Sequence, residues 1–252
     1  MGALSGHHAV VTGGGRGIGR ACAAALSLAG ATVTVIGRTE KTLRDAVNAK
    51  HAAGYAVADV TDEKLFFQAI QSAAKERGPV DLFVANAGGA ESAPFGKTSP
   101  DLFRKLFELN TLSVVHGAHA VLGDMVARGF GRIVVVASTA GLHGSPYISA
   151  YVTAKHAVVG LVRSLAAETA KTGVTVNAIC PSYVDTDLVD QGLAKITQTT
   201  GLSREEGLAS MLKSNPIGRL ITPEEVAAAV AFLCTREAGA ITGAAIPIGG
   251  AA

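Results

Sequence analysis

The chain has 252 residues, enough for one large domain with a substantial core and too few to require two. With 48% hydrophobic and 17% charged residues it is a packed globular protein, which excludes a disordered chain. A formal net charge of +2 gives no bulk electrostatic case for nucleic acid or an anionic membrane as a partner.

The opening "MGALSGHHAVVTGGG" enters a strand pattern within a few residues. It lacks a charged segment followed by a long apolar one, so no signal peptide is expected. "HAVVTG" (8–13) predicts a first strand and "GIGRACAAALSLAG" (17–30) a helix closed by Gly30. A second strand is expected at "ATVTVIG" (31–37), a helix at 39–54 and a short strand at "YAVADV" (55–60). The pattern continues with a helix over 62–78, a fourth strand over 80–88, one long helix over 99–129 and a fifth strand over 131–138. A helix over 149–173 leads to a sixth strand over 174–181; after a polar stretch come a helix over 222–239 and a last strand over 244–250.

Apolar strands alternating with helices predict the α/β class: a Rossmann-like, doubly wound parallel sheet forming a single domain over 1–252. The irregular segment 182–221, rich in Gly, Ser, Thr and Gln, follows the carboxyl end of a strand. It is expected to form a substrate lid, the plainer alternative being a surface excursion with no role in binding. No stretch is apolar enough and long enough to span a membrane. Cys22, Cys180 and Cys234 are too far apart to suggest a disulfide framework or metal cluster, and the histidines have no metal-ligand spacing. No metal is therefore expected, and the expected location is the cytoplasm.

"VVTGGGRGIGRA" lies between the first strand and the first helix. Gly13, Gly17 and Gly19 let the chain turn sharply and approach a ligand closely, while the helix start offers N–H groups to a pyrophosphate. The spacing G-x-x-x-G-x-G differs from the commoner dinucleotide fingerprint, so strand and helix context carries the inference. A site for NAD usually has an acidic residue at the end of the second strand; here that strand ends "VIGRTE". Arg38 there, and Arg16 in the glycine loop, are candidates to hold a 2′-phosphate, unless both are simply solvated arginines. NADP(H) is expected over NAD(H).

In "SAYVTAKHAV", Tyr151 and Lys155 are spaced i and i+4, on one face of a helix. A phenol beside an ammonium is expected to have a lowered pKa, which would make Tyr151 an acid–base group and Lys155 its tuning charge.

With "TGGGRGIG" (12–19), "NAG" (86–88), Asn110 in "ELNT", Ser138 in "VVVAS", "YVTAK" (151–155) and the closing "ITGAAIPIGG", the chain resembles the short-chain dehydrogenase/reductase family over residues 8 to 250. The resemblance implies catalytic roles for Asn110, Ser138, Tyr151 and Lys155, with Lys155 also binding the nicotinamide ribose. It implies cofactor contacts from Gly13, Arg16, Gly17, Ile18, Gly19, Arg38, Asp59, Val60, Asn86, Ala87, Gly88, Pro181, Val184 and Thr186, as well as Tyr151 and Lys155. Pro181-Ser182 departs from the family's usual Pro-Gly. Substrate contacts are expected from Ser138, Tyr151 and His143, though a loop histidine such as His143 is more often merely solvated.

The expected activity is interconversion of a ketone and a secondary alcohol, with a 3-oxoacyl thioester as the leading substrate. The alternatives are an NAD-dependent dehydrogenase of another small secondary alcohol (cyclic, aryl or polyol) and, outside catalysis, a cofactor-sensing regulatory protein. Helices apolar around most of their circumference, together with the resemblance, imply a homotetramer.

Overall fold

A computed structural model describes residues 2–213 and 215–250. In chain order the elements are β1 (His8–Thr12), α1 (Gly17–Leu28), β2 (Thr32–Gly37), α2 (Glu40–Asn48), β3 (Gly54–Val57), α3 (Glu63–Arg77), β4 (Val80–Ala85), α4 (Pro100–Phe107) and α5 (Ser113–Arg128). There follow β5 (Gly131–Val136), α6 (Ser149–Thr169), β6 (Val174–Pro181), α7 (Asp187–Thr200), α8 (Arg204–Leu212), α9 (Pro223–Cys234) and β7 (Ala245–Ile248). They form a single α/β domain around a seven-stranded parallel sheet in the order β3-β2-β1-β4-β5-β6-β7.

Every residue of β4, β5 and β6 is buried, which is why those strands read as largely apolar runs rather than alternating ones. Side chains of α1, α2 and α9, among them Leu26, Leu43 and Val230, fill the core on one face of the sheet. Those of α3, α5 and α6, among them Phe66, Met125 and Val162, fill the other. The strand order reverses between β1 and β4, because β2 and β3 lie on one side of β1 and everything later lies on the other. Such a switch point opens a crevice at the carboxyl ends of the two strands. The glycine loop leaves β1 there, and Asn86–Gly88 follow β4 there.

The helix expected over 39–54 ends at Asn48 and that over 222–239 at Cys234, and three further corrections bear on the site. The third strand stops at Val57 rather than 60, because Asp59 accepts hydrogen bonds from the Thr61 amide (3.0 Å) and hydroxyl (2.8 Å) and turns the chain. The long helix expected over 99–129 is interrupted by a π-helical turn at Glu108–Leu112, between α4 and α5. The segment 182–221 contains two helices, α7 and α8. Its base is pinned where Val184 bridges Ile221 and the Ile221 amide donates to the Tyr183 carbonyl (2.9 Å).

Candidate active site

The crevice is assembled from strand ends. The Thr12 hydroxyl, at the end of β1, accepts from the backbone amides of Asn86 and Ala87, each at 3.0 Å. The Asn86 side chain returns a hydrogen bond to the Thr12 carbonyl (2.9 Å). The sequence reading did not assign Thr12 a role of its own; a hydroxyl residue directly before a glycine run was the available signal. The glycines are packed, not merely free. A Cβ on Gly19 would lie 2.3 Å from the Gly13 carbonyl oxygen, and Gly13 itself has φ +65. No side chain caps the start of α1, so its first N–H groups keep no side-chain partner. An uncapped helix start beneath a surface without Cβ atoms fits the pyrophosphate of a nicotinamide dinucleotide. Thr186, the N-cap of α7, lies against the same loop: its Cγ2 would be 3.2 Å from a Cβ on Gly17.

Ser138, Tyr151, Lys155 and Asn110 come together one step along the crevice. Ser138 follows β5; its hydroxyl accepts from the Ala140 amide (3.1 Å), and it lies close enough to Tyr151 to pull the phenol's pKa down. Lys155, one helical turn along α6, holds its Nζ 5.6 Å from the Tyr151 ring centroid. That Nζ also donates to the Val136 carbonyl (3.0 Å). Asn110 is 1% exposed. Its amide donates to the Leu106 and Gly89 carbonyls (both 2.9 Å) and its Oδ1 accepts from the Gly89 amide (3.2 Å). The π turn, with one residue more than an α-helical turn, sets this inward direction. A Cβ on Gly88 would meet Asn110 Oδ1 at 2.7 Å and Lys155 Nζ at 3.7 Å, so Gly88 keeps the lysine and the asparagine in one compartment.

One expectation is overturned. Lys155 was expected to lower the pKa of Tyr151. Instead, burial pushes the phenol up to about 12, against the opposing hydrogen bond from Ser138. Burial also brings the Lys155 ammonium down to about 8. Loss of solvent is the largest cause of both shifts. Burial likewise raises the nearby Cys180 thiol.

The remaining candidates spread along the crevice. Arg38, just past β2, is exposed and faces Asp59 at 3.7 Å. Burial pushes the Asp59 carboxyl up, but its Thr61 hydrogen bonds and the Arg38 guanidinium pull it below the usual carboxylate range. Arg16 is exposed and paired with Asp187 (3.1 Å), so it ties the glycine loop to α7. Glu40 is taken up by Arg44 (2.6 Å) and the Tyr55 hydroxyl (2.8 Å). Ile18 packs against the core, and Val60 and Val184 are buried. Pro181 ends β6, and the Ser182 amide donates to the Ile248 carbonyl (3.0 Å), so serine sustains the turn expected of glycine. His143 is exposed, and its one hydrogen bond among the described residues is to the adjacent Gly144 carbonyl (3.3 Å). It is not drawn into the Ser138–Tyr151 pair.

Residues 7–196 match the family described as short chain dehydrogenase. The chain belongs to the short-chain dehydrogenase family. Relatives of this short-chain dehydrogenase extend over nearly its whole length. It is 40% identical over 248 residues to a cis-4-hydroxycyclohexanecarboxylate dehydrogenase of Sinomonas cyclohexanicum, covering 96% of this chain and 94% of the relative. It is 34% identical over 242 residues to an acetoacetyl-CoA reductase of Shinella zoogloeoides, covering 96% of each. A crystal structure of an actinorhodin polyketide ketoreductase variant with NADPH superposes with a TM-score of 0.92 at 33% identity, over 96% of this chain and 95% of that one. The short-chain dehydrogenase is thus an NAD(P)(H)-dependent oxidoreductase acting on CH–OH groups, interconverting a ketone and a secondary alcohol. That sets aside the expectation of a non-enzymatic cofactor sensor. Among the described residues, no helix is long and apolar enough to cross a membrane.

Proposed function

We propose that this short-chain dehydrogenase is an NADP(H)-preferring ketone reductase whose substrate is a 3-oxoacyl thioester. The observation that carries the chemistry is the Lys155 Nζ held 5.6 Å from the Tyr151 ring, one turn along the same helix, with Ser138 close enough to the phenol to pull its pKa down. Two hydroxyls donating to one point suit the oxygen of a carbonyl that is becoming an alkoxide. A dinucleotide bound along the glycine loop supplies or accepts the hydride. Tyr151 gives the substrate oxygen its proton in reduction and takes it back in oxidation. A phenol with its pKa near 12 is protonated across the neutral range and so carries the proton that reduction needs. Ser138 orients the carbonyl. Lys155 supplies positive charge beneath the phenol and holds the ribose hydroxyls, and Asn110 holds the start of a proton path from Lys155 to solvent.

NADP(H) is favoured because Arg38 stands exposed just past β2, where an acidic residue would repel a 2′-phosphate. Arg38 and Arg16 would hold that phosphate, and Asp59 and Val60 would border the adenine. Asn86, Ala87, Gly88, Pro181, Val184 and Thr186 would line the rest of the dinucleotide. The segment 182–221 acts as the lid, hinged at the Val184–Ile221 bridge. The thioester reading draws on the acetoacetyl-CoA reductase likeness. A second reading, a small cyclic alcohol, draws on the hydroxycyclohexanecarboxylate dehydrogenase likeness and on the aromatic side chains of Phe95 and Tyr147, exposed on the loops after β4 and β5. We place the enzyme in a homotetramer in which α4–α5 and α6 pack across a two-fold axis. In support, α4 and α6 enclose an apolar groove of about 240 Å³ lined by Phe103, Phe107, Ala150 and Ala154 among others.

The test is kcat/KM for a 3-oxoacyl thioester and a cyclic ketone, each with NADPH and with NADH. The thioester with NADPH is expected to be the best pair. A cyclic ketone turned over faster with NADH would reject both halves of the reading.

A further inference from the structure

The opposite end of the sheet holds a second cavity, of about 360 Å³, at the amino ends of β1 and β4. It is lined by His7, Arg77, Asp81, Arg128, Phe130 and Arg236 among others. Asp81 is fully engaged: His7 Nδ1 and the His8 amide lie 3.2 Å from its Oδ2, and Arg128 donates to its Oδ1. Arg128 spends its other donors on the Val80 carbonyl (2.8 Å) and the Asp124 carbonyl (3.2 Å). This carboxylate therefore neutralises one guanidinium and no more.

The other cations meet carboxylates only outside the cavity lining, Arg77 at Glu76 and Arg236 through the charge of the exposed Glu237. Arg236 makes no ion pair among the described residues; its guanidinium carbon sits 5.2 Å from the Phe130 ring centroid. Arg132 sits 4.5 Å from the same centroid and His7 stacks on that ring at 4.7 Å, so two guanidinium groups crowd one aromatic ring. The buried Arg132 is held below its ordinary pKa, first by burial and further by the Arg236 charge. Arg77 gives one nitrogen to the exposed Glu76 (2.8 Å). His7 Nε2 bonds nothing among the described residues. A cavity with surplus guanidinium donors, a free imidazole nitrogen and an aromatic floor matches a small, multiply charged oxyanion.

We propose that this cavity is a binding site for such an oxyanion, of the phosphate or tricarboxylate class, held by Arg236, Arg77 and His7 Nε2. It is separate from the dinucleotide crevice and rests on none of the redox assignments. Binding there would stabilise the amino ends of β1 and β4.

The experiment is thermal unfolding of the full-length enzyme in saturating NADPH, so that the crevice is filled. Inorganic phosphate or citrate is titrated at ionic strength held constant with sodium chloride. The expected result is a saturable rise in Tm for the wild type. For Arg236→Gln the midpoint concentration should rise by about tenfold or more, with Tm and ketone turnover unchanged when no oxyanion is added. Arg236→Lys keeps the charge without the fork and should fall between them. Saturation by phosphate alone would assign the tetrahedral class, and saturation by citrate the carboxylate class. No saturable rise beyond that of sodium chloride, or an equal rise in wild type and Arg236→Gln, would overturn the proposal. So would loss of the rise in Arg38→Ala, which would place the anion in the crevice instead.

Discussion

Lys155 is the residue where stability and function oppose each other most clearly. It is 4% exposed, and burial lowers its pKa from 10.5 to about 8. Below pH 8 both folded and unfolded chains carry the charge, and the folded state bears the full cost of burying it. Between pH 8 and 10.5 the unfolded chain holds the proton more tightly, so stability rises with pH across that window. The cost at neutral pH is on the order of 3 kcal/mol. Lys155→Met should therefore raise Tm at pH 7 while abolishing turnover, and the Tm gain should shrink as pH approaches 10; calorimetry against pH checks both. In the wild type, kcat/KM for ketone reduction should fall above pH about 8 as Lys155 loses its proton. Arg38 makes a second residue-scale prediction. Arg38→Asp sets a carboxylate against the proposed 2′-phosphate. It should lower kcat/KM with NADPH by roughly a hundredfold and leave NADH within a few fold. Equal losses with both cofactors would remove Arg38 from the specificity site.

At the scale of elements, the glycine loop and α1 depend on an approach no side chain allows. Gly19→Ala would put a methyl 2.3 Å from the Gly13 carbonyl oxygen, so the loop must open. Cofactor affinity, read by NADPH fluorescence titration, should drop by about tenfold or more, with a smaller loss of Tm. An unchanged affinity would mean the loop does not hold the dinucleotide. The strands and the glycine loop were legible because burial on both faces and tight turns write themselves into local composition. The π turn was not legible, since nothing local in "FELNTL" distinguishes it from an α-helical turn. The turn goes with the Asn110 side chain bonding Gly89, a contact that only the fold creates. The sign of the Tyr151 shift was missed for a related reason: i, i+4 spacing reports proximity, whereas burial depends on what the rest of the chain folds over the helix. Tyr147 adopts φ +65, a left-handed conformation rare for a bulky residue, while its carbonyl accepts from the Ala93 amide (2.8 Å). That bond between the loops after β4 and β5 was not visible in the sequence either. The basic cavity at the far end joins residues from 7 to 236, a grouping only the fold creates.

At the scale of the whole molecule, the apolar groove between α4 and α6 would connect the proposed assembly to catalysis. Phe107 lines it from α4, and Ala150 and Ala154, each directly preceding Tyr151 or Lys155, line it from α6. Phe107→Glu should dissociate the proposed homotetramer and lower activity with it. Sedimentation equilibrium should give four times the 25.4 kDa chain mass for the wild type and a smaller species for the variant. A wild-type enzyme that sediments as the single chain would reject the assembly. The central claim concerns the reaction, and Tyr151→Phe tests it most directly, because the ring stays and only the proton goes. Single-turnover reduction of a ketone by pre-bound NADPH should slow by about 10²–10⁴-fold, with NADPH affinity within a few fold of wild type. Hydride transfer at the wild-type rate in Tyr151→Phe would contradict the account.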